Sequence, residues 1–340
     1  MQHNLAVIRT DCIRANAEYF SALAPRSKLL AVVKADAYGH GAASVAQALR
    51  PVADMFAVAL VDEGAQLRHA GTDKDILVLT PPLSEEEVVR GAAYGLIFTA
   101  GDARDYALLC KTCQKYGFVA RCHLKINTGM NRYGFTRASL LRFLSTKFSD
   151  FVSVEGIYSH FCAPENTAVR EKQLSLFLQC CSYASRAFGP LVRHIAATGG
   201  TLAGVENHLD MVRIGIGLYG YLPGGFSLPE GTLGRAMRVY AQTVCSRTAP
   251  RGWAGYGTRS APKNLSVLRA GYADGFFRKG GFGNANDLCM DAALLPVLLK
   301  KYEYVCVFSD ADRYAADNNT ISYEALCCMG RRAERLYVER

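Results

Sequence analysis

The chain has little that would tie it to a membrane, a secretory route or nucleic acid. No apolar run approaches the ~20 residues of a membrane span. Met1-Gln-His-Asn-Leu-Ala-Val-Ile-Arg-Thr10 lacks the basic start and long apolar core of a signal peptide. These absences predict a cytoplasmic chain with no membrane partner. The net charge of +9 over 340 residues is spread along the sequence, without the Lys/Arg runs interleaved with aromatics that track a nucleic-acid backbone. Nucleic acid is therefore not an expected partner, and the basic balance reads as solubility with a bias toward small anions. Internal repeats and low-complexity tracts are absent. Twelve cysteines are present, but no framework. Cys180-Cys181 and Cys327-Cys328 are adjacent pairs, and Cys110-Lys-Thr-Cys113 has no second half at zinc spacing. They read as small buried residues rather than metal ligands or redox pairs.

What is present is an alternation. Short apolar runs occur at residues 28–34, 55–60, 75–80, 95–99, 120–126, 152–160, 193–197 and 211–216. Between most of them lie segments with apolar residues at 3.6 spacing, such as 44–49, 84–93 and 139–144. Several begin with Ser, Asp or Asn, as capped helices do. Eight such units predict a closed (β/α)8 TIM-like barrel, with a doubly wound open sheet as the alternative that periodicity alone leaves open. After Gly220 the texture changes to a Pro- and Gly-rich loop over 222–231. Strand-like runs at 237–248, 266–272 and 304–309 then predict a separate, mainly-β domain. The fold class is thus α/β plus β, with the barrel over 9–228 and the β domain over 229–340.

In a barrel the chemistry sits where the strands end. Those ends deliver Lys34 and Tyr38, Lys125 and Arg132, His160, Thr198, and Arg213. The segment Ala31-Val-Val-Lys-Ala-Asp-Ala-Tyr-Gly-His-Gly41 is the most informative. A lysine at the mouth of a buried strand either snorkels to the rim or is put to use. Desolvation lowers its pKa and makes the amine a nucleophile suited to a Schiff base. Thr198-Gly-Gly-Thr201 and Gly215-Ile-Gly217 fall after the seventh and eighth strands. Barrels often bind phosphate there, on backbone N–H groups and hydroxyls.

Several long motifs, in register from about residue 5 to the C-terminus, resemble the two-domain, fold type III, pyridoxal-phosphate-dependent alanine racemase family. They are residues 31–41, His123-Leu-Lys-Ile-Asn-Thr-Gly-Met-Asn-Arg-Tyr-Gly134, residues 194–200, and Asp210-Met-Val-Arg-Ile-Gly-Ile-Gly-Leu-Tyr-Gly220. Gly255-Tyr-Gly257, Gly271-Tyr-Ala-Asp-Gly275, Cys289-Met-Asp291 and Ile321-Ser-Tyr-Glu-Ala-Leu-Cys327 follow in the family's order. The resemblance implies a barrel whose β domain also takes the first strand, residues 1–8. It implies a head-to-tail homodimer, each site completed by the other subunit.

By the same resemblance Lys34 holds pyridoxal 5'-phosphate covalently and serves the D-face of the amino acid substrate, while Tyr256 of the second subunit serves the L-face. A tyrosine is a poor base near neutral pH, and His160 with Arg213 is the family's network for activating it. Arg213 faces the ring nitrogen. Tyr38, Thr198, Gly215, Ile216 and Tyr323 are the remaining cofactor positions. Arg132 takes the substrate carboxylate, Lys125 buttresses Arg132 once carbamylated, and Tyr272, Met290 and Asp291 line the entrance. Three departures stand out. Ala197-Thr198 replaces the common Asn-Ser, and Asn127 replaces a common aspartate. Residues 279–319 are worn, with 300–304 and 309–319 reading as an altered hairpin or loop. The implied activity is interconversion of L- and D-alanine for peptidoglycan. The alternatives are a serine or broad-specificity racemase, or a non-catalytic cofactor-binding barrel.

Overall fold

The computed structural model describes residues 4–278 and 287–339. The first strand, β1 (Asn4–Arg9), leaves the barrel to its successors. Eight parallel strands follow: β2 (Lys28–Val32), β3 (Met55–Val58), β4 (Asp75–Val78), β5 (Ile97–Ala100), β6 (Ala120–Lys125), β7 (Val152–Tyr158), β8 (Val192–His194) and β9 (Met211–Ile214). They pair in chain order from β2 to β8, and β9 returns beside β2 with Leu30 opposite Arg213. The seam between β8 and β9 is closed by Arg213 N–H to Ala196 O, 3.0 Å, and Asp210 N–H to Arg193 O, 3.1 Å. An open doubly wound sheet is thereby excluded. The strands are buried on both faces, which is why they read as continuous apolar runs rather than alternating ones.

The helices between them start where short polar side chains stand ready. Ser84 accepts from Glu87 N–H, Asp102 from Arg104 and Asp105 N–H, Thr136 from Ser139 N–H, and Asn166 from Val169 N–H. Each such cap is worth about 1 kcal/mol. No helix among the described residues is long and apolar enough to cross a membrane.

The second sheet contains β10 (Met237–Thr248), β11 (Asn264–Leu268), β12 (Ala293–Leu295), β13 (Tyr304–Phe308) and β14 (Glu334–Val338). Its order is β12-β11-β10-β1-β14, with β13 also on β10. β1 runs antiparallel to β10 and parallel to β14, so the chain's two ends lie in one sheet.

The worn segment is better ordered than its sequence suggests. Residues 309–319 are not a hairpin or loop but contain the helix Ala311–Asn318, whose N-cap Asp310 accepts from Asp312 and Arg313 N–H. It ends on Asn319 at φ 56°, a left-handed stop that asparagine tolerates. Residues 279–286, the start of that segment, lie outside the described residues. No disulfide joins cysteines among the described residues; Cys162 and Cys306 are exposed, contrary to the expectation of burial.

Candidate active site

The barrel mouth is built around an unusual turn. β2 stops at Val32, and from Ala35 to Tyr38 the backbone is left-handed, with φ of 53°, 52°, 54° and 53°. No glycine is among these four. Each L-residue held in this way costs roughly 1–2 kcal/mol, so the turn persists only because its surroundings over-determine it. Glu63, in the helix Val61–His69, accepts from Ala35 N–H at 2.6 Å. Asp36 accepts from Ala42 N–H at 2.7 Å and pairs with Arg335 of β14 at 2.7 Å. Arg335 Nε–H donates to Gly39 O, and His40 Nδ1 lies 2.9 Å from Ala37 O. The helix Ser322–Cys328 packs so closely on Gly39 that a Cβ there would sit 2.5 Å from Leu326 O.

The turn places Lys34 and Tyr38 at the same mouth. Lys34 is half-buried, and burial pushes its pKa down, with Arg132 and Arg213 adding to the shift and Glu63 opposing it. Tyr38 is buried, its ring tilted against that of Tyr219 at 4.9 Å between centroids, and the Tyr219 hydroxyl donates to Val32 O. The Tyr38 phenol is pushed up mainly by desolvation, and its hydroxyl makes no hydrogen bond among the described residues. It lies 2.7 Å from where a Cβ on Gly215 would stand, so only glycine leaves that space open. Thr198 Oγ1 accepts from Gly215 N–H at 3.4 Å and Gly217 N–H at 3.3 Å, joining the last two loops. Ile216 is buried between those glycines. Tyr323 closes the group from Ser322–Cys328, its ring 6.0 Å from that of Tyr38 and its phenol pushed up to about 12 by burial.

Arg213 is fully enclosed at the end of β9. Its Nη2 donates to Ser159 O at 2.7 Å and Ile195 O at 3.1 Å and reaches His160 Nδ1 at 3.2 Å; its Nη1 donates to His194 Nδ1 at 3.0 Å. Burial lowers its pKa to about 10, so it stays cationic at neutral pH. A guanidinium only donates, which fixes the tautomers beside it. His194 must carry its proton on Nε2, which donates to His123 Nδ1 at 2.9 Å. His160 likewise keeps its proton on Nε2, facing away from Arg213. All three rings are held neutral: burial lowers His160, His194 and His123, the last to about 3, and neighbouring cations reinforce each shift.

Lys125, at the end of β6, is buried with one long hydrogen bond, to Ile126 O at 3.4 Å, and sits 4.9 Å from the Tyr158 ring. Burial, then Arg213 and Arg132, push its amine well below the ordinary range. Arg132 is exposed, stacks on Tyr133 and has no carboxylate partner among the described residues.

The structure thus brings together Lys34, Tyr38, Lys125, Arg132, His160, Thr198, Arg213, Gly215, Ile216 and Tyr323. It does not bring Tyr256, Tyr272, Met290 or Asp291 to them. Tyr256 stands 57% exposed in a loop between Gly255 and Gly257, without a hydrogen bond or ring contact among the described residues. Tyr272 opens the short 3-10 helix Tyr272–Asp274 and lies beside the bend at Met290, with Tyr272 N–H donating to Cys289 O and Ala273 N–H to Met290 O. Asp291 accepts from Arg332. Sequence reasoning missed Glu63, His40, Arg335 and the His123–His194 pair. His40, His123 and His194, inside quoted motifs, carried a visible signal; Glu63 and Arg335 did not.

A family model described as "Alanine racemase, N-terminal domain" matches residues 8–223. "Alanine racemase 2" of Oceanobacillus iheyensis is 33% identical, covering 98% of this chain and 93% of its own. "Alanine racemase" of Frankia casuarinae is 31% identical over 98% and 96%. Among solved structures, the alanine racemase of Clostridium difficile 630 superposes with a TM-score of 0.89 at 26% identity, over 100% of this chain and 97% of that one. The alanine racemase of Bartonella henselae, solved with covalently bound pyridoxal phosphate, gives 0.85 at 26% identity, over 99% and 100%. The chain belongs to the alanine racemase family, a family of isomerases.

Proposed function

We propose that the chain binds pyridoxal 5'-phosphate and interconverts L- and D-alanine, with Lys34 as acid/base on one face and Tyr256 of a second copy on the other. The carrying observation is the convergence at one barrel mouth of four basic side chains, Lys34, Lys125, Arg132 and Arg213, with a polar cradle of hydroxyls and bare backbone. The cradle fits the cofactor on its own chemistry. The hydroxyls of Tyr38 and Tyr323 have no protein partner among the described residues, and the Gly215 backbone is bare where a side chain would block it. Thr198 keeps the hydroxyl that the common serine would supply. Lys34 would hold the group by its amine, Tyr38, Thr198, Gly215, Ile216 and Tyr323 its phosphate, and Arg213 its ring nitrogen, beside His160.

When bound, the cofactor supplies an electron sink for the charge left as the α-proton departs. The rest falls to the protein. Lys34, its pKa lowered, takes or returns the proton on the D-face. Arg213 has Nε–H and a second Nη1 hydrogen left to donate, and it gives up no proton at neutral pH. Arg213 would face the ring nitrogen without offering it a proton, a setting that would limit side reactions such as transamination. His160 presents an Nε2–H, the form suited to stabilising the phenolate of an incoming Tyr256. Arg132, unpaired and forked, suits the substrate carboxylate. A neutral amine at Lys125 is the form that adds carbon dioxide, forming an N–C bond and losing a proton to water. The resulting carbamate would set an anion beside Arg132.

Tyr256, Trp253, Tyr272 and Met290 lie exposed on the β domain. A second copy of this chain, placed head to tail, would cover them and deliver Tyr256. The units we propose are a barrel over 9–228 and a β domain over 229–340 with residues 1–8. A cytoplasmic location and D-alanine supply for peptidoglycan go with the reading. The relatives match across the β domain too, which a lone cofactor-binding barrel lacks.

Chiral chromatography of the purified protein with pyridoxal phosphate tests the reading, with L-alanine and L-serine in parallel. D-alanine forming faster than D-serine is expected. Faster conversion of serine would move the assignment to a serine racemase. No conversion of either would overturn it.

A further inference from the structure

Glu63 does more than its position requires. It is the third residue of the helix Val61–His69, where a glutamate commonly folds back to cap the helix start. One oxygen does that: Oε2 accepts from Leu60 N–H at 3.1 Å and from Ala59 N–H at 2.6 Å. The other oxygen leaves its own helix. Oε1 accepts from Ala35 N–H at 2.6 Å, 28 residues away, at the first residue of the left-handed turn and directly after Lys34. One carboxylate therefore joins the end of β3 to the residue that follows the functional lysine.

The other side-chain holds on the turn all act further along. Asp36, with Arg335, and His40 grip it at residues 36–39. Among the described residues, Glu63 is the side chain that hydrogen-bonds the backbone at the Lys34 end of the turn. Alanine has no preference for the left-handed region; Gly39 N–H holds the Ala35 carbonyl at 3.0 Å from within the turn, and Glu63 holds the amide on the other side of the same residue.

We propose that Glu63 is a positioning residue for Lys34, acting through the Ala35 amide to fix the start of the left-handed turn and so the direction in which the lysine leaves β2. The role rests on the assignment of Lys34 above, but the hold itself can be measured without it. The charged and thiol groups acting on Lys34 are Arg132, Glu63, Cys327 and Arg213, and Glu63 is the carboxylate among them.

The test uses purified holoenzyme as Glu63→Gln and Glu63→Asp, with Asp62→Asn as control. Asp62 is an exposed neighbour paired to Arg90 and makes no contact with the turn. Aspartate keeps the charge but is one methylene too short to span from Leu60 to Ala35, so it also serves if the glutamine variant fails to fold. Two readouts are taken: amide hydrogen exchange of the 34–41 peptide by mass spectrometry, and kcat and KM for L-alanine. Loss of one charge-assisted hydrogen bond predicts exchange about tenfold faster in both Glu63 variants. It also predicts kcat lowered about tenfold with KM within about twofold, since Arg132 is untouched. Asp62→Asn should match wild type in both. Unchanged exchange, or faster exchange with unchanged kcat, overturns the proposal. A wild-type protein that racemises nothing overturns the functional reading instead, and leaves the exchange result to decide whether Glu63 holds the turn.

Discussion

Lys34 and Tyr256, the two residues proposed to face each other across a substrate, stand in opposite surroundings. Around Lys34 the backbone is strained and gripped from four sides, by Glu63, Asp36, His40 and Arg335. Around Tyr256 the side chain is mostly exposed, in a loop opened by two glycines at positive φ. The barrel half is organised by its own chain. The β-domain half presents aromatic and apolar groups with little of its own to order them, which is what a surface looks like when its order comes from another copy. The histidines repeat the division: six of the seven lie between residues 40 and 208, in the barrel, and residues 229–340 have none.

The largest expected effects test that division directly. Lys34→Ala should abolish racemisation together with covalent attachment of the cofactor. Tyr256→Phe should keep the absorbance of the attached cofactor and lower turnover by about 10²–10⁴, the range of one acid–base group. Mixed after dissociation, the two dead variants should recover about a quarter of wild-type activity, because random pairing gives half mixed dimers with one intact site in each. A mixture no more active than its components would place both residues in one subunit's site or break the pairing altogether.

Arg213→Glu comes next. A carboxylate there would share a proton with the ring nitrogen and strip His160 and His194 of their donor. We expect racemisation about 10²–10³ slower and a measurable rise in transamination, read as pyruvate released. Unchanged rates of both would remove Arg213 from the ring.

Much of the barrel half was legible in the sequence, because eight buried strands leave eight apolar runs and the polar residues at their ends stand out against them. The left-handed turn was not. Ala-Asp-Ala-Tyr carries no glycine or asparagine to announce positive φ, and two of the side chains that hold the conformation, Glu63 and Arg335, meet it from 28 and nearly 300 residues away. Glu63 itself looks like an ordinary capping residue. The helix Ala311–Asn318 read as a loop because Asp and Asn crowd it, although Asp310 and Asn319 are its start and stop signals. β14 escaped because its exposure does not alternate. Nothing in sequence spacing could place Tyr256, which stands exposed in its loop; its proposed setting needs a second copy.

An intermediate effect separates the halves by pH. His40 is enclosed and stacked on Tyr219, and burial lowers its pKa from 6.5 to about 4. The unfolded chain takes up that proton near 6.5 and the folded chain does not until about pH 4. Stability is therefore fully present above 6.5 and falls as pH drops toward 4, by about 3 kcal/mol from this residue. Thermal unfolding measured from pH 7.5 to 4.5 should show that loss, and His40→Asn should lessen the slope, the remainder coming from the buried His123, His160 and His194. A variant with the wild-type slope would assign the acid loss to other groups.

The smallest effect is the one most able to break the comparison. Arg335, on β14, is the ion-pairing side chain that the β domain sends to the Lys34 turn of its own chain, to Asp36 at 2.7 Å and Gly39 O at 3.1 Å. Both partners are partly open to water, at 30% and 51% exposure. Such a pair is worth less than about 1 kcal/mol and weakens with salt. Because Glu63 already grips the turn at its Lys34 end, Arg335→Gln should lower kcat by no more than about threefold, and raising the salt concentration should bring wild type toward the variant. If Arg335→Gln instead cost as much as Tyr256→Phe, the β domain would be governing the barrel site from within one chain. The contrast between a self-organised half and a borrowed half would then fail at the residue where the two halves touch.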